Sequence, residues 1–412
     1  MRIAMLLHKS VVLDSRVRRE AGALARAGHD VTVLELARVP AGARLDGYAR
    51  QSVQPPPWMR RLLPFHLYRL AFLAGFVRGI RRLRPDVVHA HDAAMLLPGI
   101  IGARLTGALL VYDSHELATS VPYRDRAWTW FVAAIERVVV PRCAAVITVS
   151  DGIAERLRAR YRLPLDPTVV RNVSELHVEG AGGLRLAMGL DASTPLILHQ
   201  GAPAPARGCE VLVEALTHLE GVHLAFLGDA QDGYGEELRA AVRDFGVEDR
   251  VALIASVPLA ELLAHTAEAD VGVTLLQDTC ENHRLALPNK LFEYIAAGVP
   301  VVASALPETQ RLIDRHGVGW CSPPEDPEAL AQTLELALAR RADPALKQRL
   351  RSAAQELCWS REQHRLLGLY RRLGGAHAAD GAAPGRVLAR AELRSAPGQH
   401  QAMRAQRSHS RQ

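Results

Sequence analysis

Two consecutive doubly wound α/β domains are what this 412-residue sequence predicts, and three observations carry the prediction. The chain is too long for one ordinary core and suits two of about 150–200 residues each. Residues 2–34 read as strand, helix, strand. The apolar run RIAMLL comes first, then a segment in which Val17, Ala21 and Leu24 share a helical face until Gly28 stops it, then a strand from Val31 to Leu34. The same grammar returns after residue 195. Such βαβ units build a parallel sheet whose ligand site lies beyond the C-terminal ends of its strands.

In the first half, further core strands fit DVVHAH (86–91), LLVYDS (109–114) and AAVITVS (144–150), each ending in polar residues. The second half offers LILHQG (196–201), HLAFLG (223–228), RVALIA (250–255), DVGVTLL (270–276) and PVVAS (300–304), alternating with helical segments such as CEVLVEALTHL. This divides the chain into a first domain at 1–172, a linker at 173–194 where the pattern loosens, and a second domain at 195–358. From 374 to 412 the composition collapses into Gly, Ala, Pro, Arg, Ser and Gln, which predicts a disordered basic tail.

Charge and cysteine usage exclude several classes. The net charge is +6, and residues 375–412 carry six Arg against Asp380 and Glu392. Residues 55–84 carry seven Arg and no acid, interleaved with Trp58, Leu62, Phe65, Phe72 and Phe76. That stretch reads either as a helix lying on an anionic membrane surface, with the tail assisting, or as a core-packing helix with a solvated basic rim. With the arginines in an apolar stretch and a tail rather than on a recognisable motif, nucleic acid is not an expected partner. The five cysteines are scattered without CxxC spacing and read as ordinary thiols. No apolar run reaches the roughly 18–20 residues that cross a bilayer, and no signal-peptide pattern opens the chain. A cytoplasmic protein is expected, peripheral on the inner face of the cell membrane if residues 55–84 bind lipid.

The stretch LALPNKLFEYIAAGVPVVAS (285–304) changes period from helix to strand. A helix starting at Pro288-Asn289 presents free backbone N–H groups and the positive end of its dipole, a site for phosphate, with Lys290 adding a cation. Glu293, one turn on, faces the same cleft and suits two hydroxyls of a sugar or ribose. The plainer alternative is that Lys290 and Glu293 form an i,i+3 surface pair. In the first half Asp14, Arg16, His115 and Glu116 follow apparent strands and are candidate cleft residues; Asp14 and Arg16 equally suit capping and pairing on the first helix.

These segments together resemble the retaining GT-B glycosyltransferases of the family 4 type (glycosyl transferases group 1). The resemblance rests on LPNKLFEYIAAGVPVVAS, LDSRVRREAGALARAGHDVTVL, VVHAHDAAMLLPG, VYDSHEL and GAPAPARG, and runs from about residue 2 to about 372. It implies two Rossmann-like domains facing a central cleft, the first on the acceptor side and the second binding a nucleotide-sugar donor, with 359–373 a C-terminal helix returning to the first domain. It also implies that Glu293 contacts donor hydroxyls, that Gly201 and Arg207 of the GxxxxxRG segment hold the donor diphosphate, that Asn289 and Lys290 lie near the phosphates or transferred sugar, and that His91 faces the reacting sugar. Two positions depart from the pattern. The first glutamate of the family's pair falls at Leu285, with Glu281 or Asn282 as candidate replacements, and a diphosphate arginine falls at Ala202.

The resemblance implies transfer of a sugar from a nucleotide-diphosphate donor to a glycan, lipid-linked or small-molecule acceptor with retention of configuration. No metal or other cofactor is expected, since no DxD pair stands in a suitable loop. The alternatives are a nucleotide-sugar 2-epimerase of the same architecture and, because of Leu285 and Ala202, an inactive nucleotide-sugar-binding protein. A dehydrogenase is disfavoured because no GxGxxG follows the first strand.

Overall fold

The computed structural model describes residues 1–55, 65–121, 125–175, 180, 182–231 and 233–380, with 65–70 and 376–380 described by backbone alone. Two sheets organise it. The first holds β1 (Arg2–Leu7), β2 (Asp30–Glu35), β3 (Arg44–Leu45), β4 (Tyr48–Ser52), β5 (Val87–His91), β6 (Leu109–Ser114), β7 (Ala145–Thr148) and β8 (Thr168–Val169), in the order β3-β4-β2-β1-β5-β6-β7-β8. Only β3 and β4 pair antiparallel. The second holds β9 (Leu196–Gln200), β10 (His223–Leu227), β11 (Val251–Ile254), β12 (Val271–Thr274), β13 (Val301–Ser304) and β14 (Gly319–Ser322), all parallel, in the order β11-β10-β9-β12-β13-β14.

Buried parallel strands read as continuous apolar runs because helices cover both faces. Ile3 to Leu7 and Leu196 to Leu198 are accordingly buried. In each sheet the strand order reverses beside the first strand, between β1 and β5 and between β9 and β12. A crevice opens at such a reversal, outside the carboxyl ends of the strands. The functional candidates of both halves stand at these ends.

The helix Trp359–Asp380 carries the chain back to the first sheet. The backbone N–H of Trp359 donates to Ser174 O at 3.1 Å, Arg171 pairs with Glu362 at 3.2 Å, and the buried Tyr370 hydroxyl meets His89 Nδ1 at 2.9 Å. This helix outruns its predicted end at 373: residues 374–380 continue it rather than opening the tail. Gly374 lies against the side chain of Met1, and the alanines that follow favour continuation. Residues 381–412 lie outside the described residues.

The basic stretch divides in a similar way. Residues 56–64 lie outside the described residues, and a helix spans Phe65–Leu83. Phe76 and Ile80 are buried in the first domain's core while Arg78, Arg81 and Arg82 are exposed. From 71 on, the stretch thus has a core-packing face and a basic rim. Among the described residues no helix is long and apolar enough to cross a membrane.

Candidate active site

The donor-side candidates come together in a cavity of about 1070 Å³ at the carboxyl ends of β9, β10 and β12. Gly201, Arg207, Asn282, Asn289, Lys290 and Glu293 line it, and Glu116 of the first domain faces them. The helix Asn289–Ala296 is held in place by Tyr294, a fully buried side chain. Its hydroxyl accepts from Gln200 N at 2.8 Å and lies 2.9 Å from Leu198 O and 3.0 Å from Val273 O, so it joins β9 to β12. Gly272 makes room for it: a Cβ there would lie 2.3 Å from the ring. Two further glycines let the cavity floor close up, since a Cβ on Gly228 would lie 2.7 Å from the backbone of Gly201. Both have positive φ, 144° and 88°, which glycine adopts freely.

Lys290 sits half-buried with Nζ 3.0 Å from His199 Nε2. Burial, and then repulsion from Arg207, lower its pKa from the ordinary 10.5 to about 7. Arg207 donates to Ala202 O at 3.0 Å. Two cations, Arg207 and Lys290, and the N-terminus of this helix thus face a cavity that Glu116, Asp229 and Glu293 also line, and a cation beside a helix N-terminus is an arrangement that suits an anionic group. Glu293 accepts from the Gln200 side chain, and burial raises its pKa against the opposing pull of Arg19 and Lys290. Its partners rule out the plain surface pair with Lys290.

The loop and helix before this element serve a different end from the one expected of them. Glu281 pairs with Arg156 at 2.8 Å, and Asn282 Oδ1 accepts from Leu117 N at 2.9 Å. Ser150 Oγ donates to Leu285 O at 2.6 Å, and the Leu285 side chain packs on the first domain's core. Glu281 and Asn282 are therefore engaged with the first domain, Asn282 while also lining the cavity. Leucine suits position 285 because that side chain is apolar-packed.

On the first-domain wall, Asp14 caps the helix Ser15–Arg26 by accepting from Val17 N at 3.0 Å, and it pairs with Lys9 at 3.0 Å. Arg16 is 3% exposed and lies beneath the wall rather than on it. Both its NH2 and Nε atoms reach the Asp113 carboxylate at 2.8 Å, NH1 donates to Val170 O at 2.6 Å, and Glu20 lies 3.1 Å away. For these two residues the capping and pairing alternative describes the geometry.

His91 needs a larger correction. It is fully buried, stacked on His89 at 4.2 Å between ring centroids, with Nδ1 3.2 Å from Asp113 Oδ2. It does not face the cleft. The histidine at the surface of this wall is His115, whose side chain is 17% exposed, 3.0 Å from Asp113 and 3.5 Å from Asp92. Burial works against its charged form, but Asp113 and Asp92 overrule burial and hold its pKa at about 9.

Glu20, His89, His91 and Asp113 also bring possible metal-ligating atoms within 4.8 Å of one another, all buried. The cation at the middle of this group is Arg16, which already occupies both oxygens of Asp113. Burial pushes the Glu20 carboxyl up to about 8 in spite of Arg16.

Sequence reasoning missed Gln200, which positions Glu293, and Asp229 and Ser256, bonded to each other on the cavity rim. All three follow or end strands of the second domain. The strand-end rule applied to the first domain would have found them.

Two Rossmann-like domains of parallel sheet with a cavity at their strand ends have the GT-B architecture. Residues 14–173 match the family described as Glycosyltransferase Family 4 and residues 194–340 the family described as Glycosyl transferases group 1, so the chain carries a family 4-type domain followed by a group 1 domain and is a glycosyltransferase. A D-inositol 3-phosphate glycosyltransferase of Xylanimonas cellulosilytica is 29% identical, over 90% of this chain and 96% of that protein. Among solved structures, a sucrose-phosphate synthase from Thermosynechococcus elongatus superposes with a TM-score of 0.73 at 21% identity, covering 91% of this chain and all of that one. Anabaena Alr3699/HepE in complex with UDP-glucose superposes with a TM-score of 0.71 at 16% identity, covering 90% and 99%.

Proposed function

We propose that the chain transfers a sugar from a nucleotide-diphosphate donor to a hydroxyl-bearing acceptor, a glycan, a lipid-linked sugar or a small polyol, with retention of configuration and without a metal. The observation that carries the donor half is the convergence of Arg207, Lys290 and the N-terminus of Asn289–Ala296 on one cavity that also holds Glu293. The named activity of the Xylanimonas relative and the UDP-glucose in the Anabaena structure support the same reading.

In this scheme the bond from the sugar's anomeric carbon to the phosphate oxygen breaks while a bond to the acceptor oxygen forms on the same face. The acceptor's proton passes to the leaving diphosphate. The protein stabilises the departing negative charge, a kind of assistance that removes a large part of many barriers. Lys290, held near pKa 7 before the anion arrives, gains its proton as the diphosphate binds. Glu293, fixed by Gln200, takes donor hydroxyls.

The test is a panel of UDP-, GDP-, ADP- and dTDP-sugars, with binding measured by calorimetry and the anomer released on slow hydrolysis read by NMR. One donor bound, released with its configuration kept, and lost in both Lys290→Ala and Glu293→Ala is the expected outcome. Binding without any turnover favours the inactive binding protein, for which the filled position Leu285 speaks. Conversion of the donor without acceptor or hydrolysis favours an epimerase.

A further inference from the structure

Asp92, which follows His91 at the end of β5, has a backbone conformation that argues against its own presence. Its φ is 63° and its ψ 161°. Arg162 also has positive φ, but at 51° and 48° it lies in the left-handed helical region that closes a helix. The conformation of Asp92 belongs to a region occupied almost solely by glycine. A strained residue persists only where its surroundings hold it, and such residues gather at ligand sites.

The surroundings here are specific. The Asp92 N–H donates to Asp113 O at 3.0 Å, and its carbonyl accepts from Met95 N at 3.0 Å. Its side chain, 23% exposed, gives one oxygen to His115 at 3.5 Å. The other has His8 at 4.0 Å and no closer charged partner among the described residues. His8 approaches it from the end of β1, next to Lys9, which Asp14 engages; His115 approaches it from the end of β6, and the residue after His115, Glu116, lines the cavity. A carboxylate with one oxygen paired to His115 and the other 4.0 Å from His8, at a strand end of the first-domain wall and one residue removed through His115 from the cavity-lining Glu116, has the chemistry to accept a hydrogen bond from an alcohol.

We propose that Asp92 binds and aims the attacking hydroxyl of the acceptor, with His115 fixing its carboxylate, and that the strained backbone is the means of aiming it. The inference rests on the transfer reading above and adds an acceptor-side residue to it. Asp92 accepts a hydrogen bond from the acceptor hydroxyl, whose oxygen bonds to the anomeric carbon as the phosphate oxygen leaves and takes the proton.

Water can take the acceptor's place, so the test needs no identified acceptor. Wild type, Asp92→Gly, Asp92→Ala and Asp92→Asn are compared for donor affinity, donor hydrolysis rate and melting temperature, using the nucleotide sugar that wild type binds best. Gly and Ala both remove the carboxylate, and only Gly relieves the backbone. Donor affinity is expected to stay within about twofold in all four proteins, because Asp92 lies on the opposite wall. Hydrolysis falls roughly tenfold or more in Gly and Ala, on the scale of a lost hydrogen bond to a charged group, and less in Asn. Asp92→Gly melts a few degrees above Asp92→Ala, roughly the shift that relief of such strain gives a domain of this size. Hydrolysis at the wild-type rate in Asp92→Ala, or a Gly variant melting no higher than Ala, overturns the proposal. A wild type that binds no donor overturns the transfer reading instead, and is recognised by the silence of all four proteins.

Discussion

The two walls of the cleft handle charge in opposite ways. On the second-domain wall Lys290 and Arg207 face the cavity, and among the described residues neither forms an ion pair within 4 Å; Lys290 leans on the neutral His199 and Arg207 on a backbone carbonyl, with Glu293 acting on Lys290 from farther off. On the first-domain wall almost every charge is matched below the surface: Arg16 by Asp113 and Glu20, and His115 by Asp113 and Asp92. Unmatched cations lower stability and create affinity for an anion. A matched network gives little net affinity, but it holds a few surface groups in a set charge state and direction. Under the proposed function, the comparison assigns donor affinity to one wall and orientation to the other.

Four substitutions or titrations break or sharpen this contrast. The largest effect is expected from Arg16→Met, which removes the cation bonded to both oxygens of the buried Asp113 and costs about 3–5 kcal/mol of stability. Chemical denaturation checks it, and donor affinity in the surviving folded protein stays near wild type. Lys290→Met is the counterpart on the other wall. It weakens the donor roughly 10- to 100-fold, the range for a hydrogen bond to a charged group, and leaves stability unchanged or higher because a desolvated cation is removed.

The third effect is a pH dependence. In the unfolded chain Lys290 keeps its proton up to about pH 10.5, and in the folded chain it gives the proton up from about pH 7. The unfolded state therefore binds more protons between these values, so this group alone makes stability rise with pH across that window and leaves it flat below. Donor affinity runs the other way, highest below about pH 7 and falling above it. Calorimetry in buffers of different ionisation enthalpy should register proton uptake on donor binding at pH 8, and none in Lys290→Met. The smallest effect belongs to Arg156→Ala, which breaks a half-exposed pair with Glu281. It is expected to change stability by about 1 kcal/mol or less and donor affinity not at all.

What could be read from the sequence follows the same division. The central strands were legible because burial on both faces makes them apolar runs, as in RIAMLL and LLVYDS. The strands at or next to the sheet edges, β3, β4, β8 and β14, were not, since YARQS and GWCS carry no such run. On the donor side, Asn289, Lys290 and Glu293 lie within one helix turn or so of one another, so a local pattern exposed them. The first-domain wall is assembled from Arg16, His89, Asp113 and Tyr370, which meet over as many as 281 positions of the chain. Nothing local marks which of His91 and His115 reaches the surface. Asp92 was visible only as a letter in HAHD, because its conformation is not a property of composition.

The central proposal, that Lys290 holds the donor's phosphates in a cavity where Ala202 stands at the position of a diphosphate arginine, is tested most directly by the donor affinity of wild type, Lys290→Met and the double variant Lys290→Met with Ala202→Arg. Affinity lost in the single variant and largely restored in the double is the predicted result. A Lys290→Met protein that binds donor as tightly as wild type would contradict it.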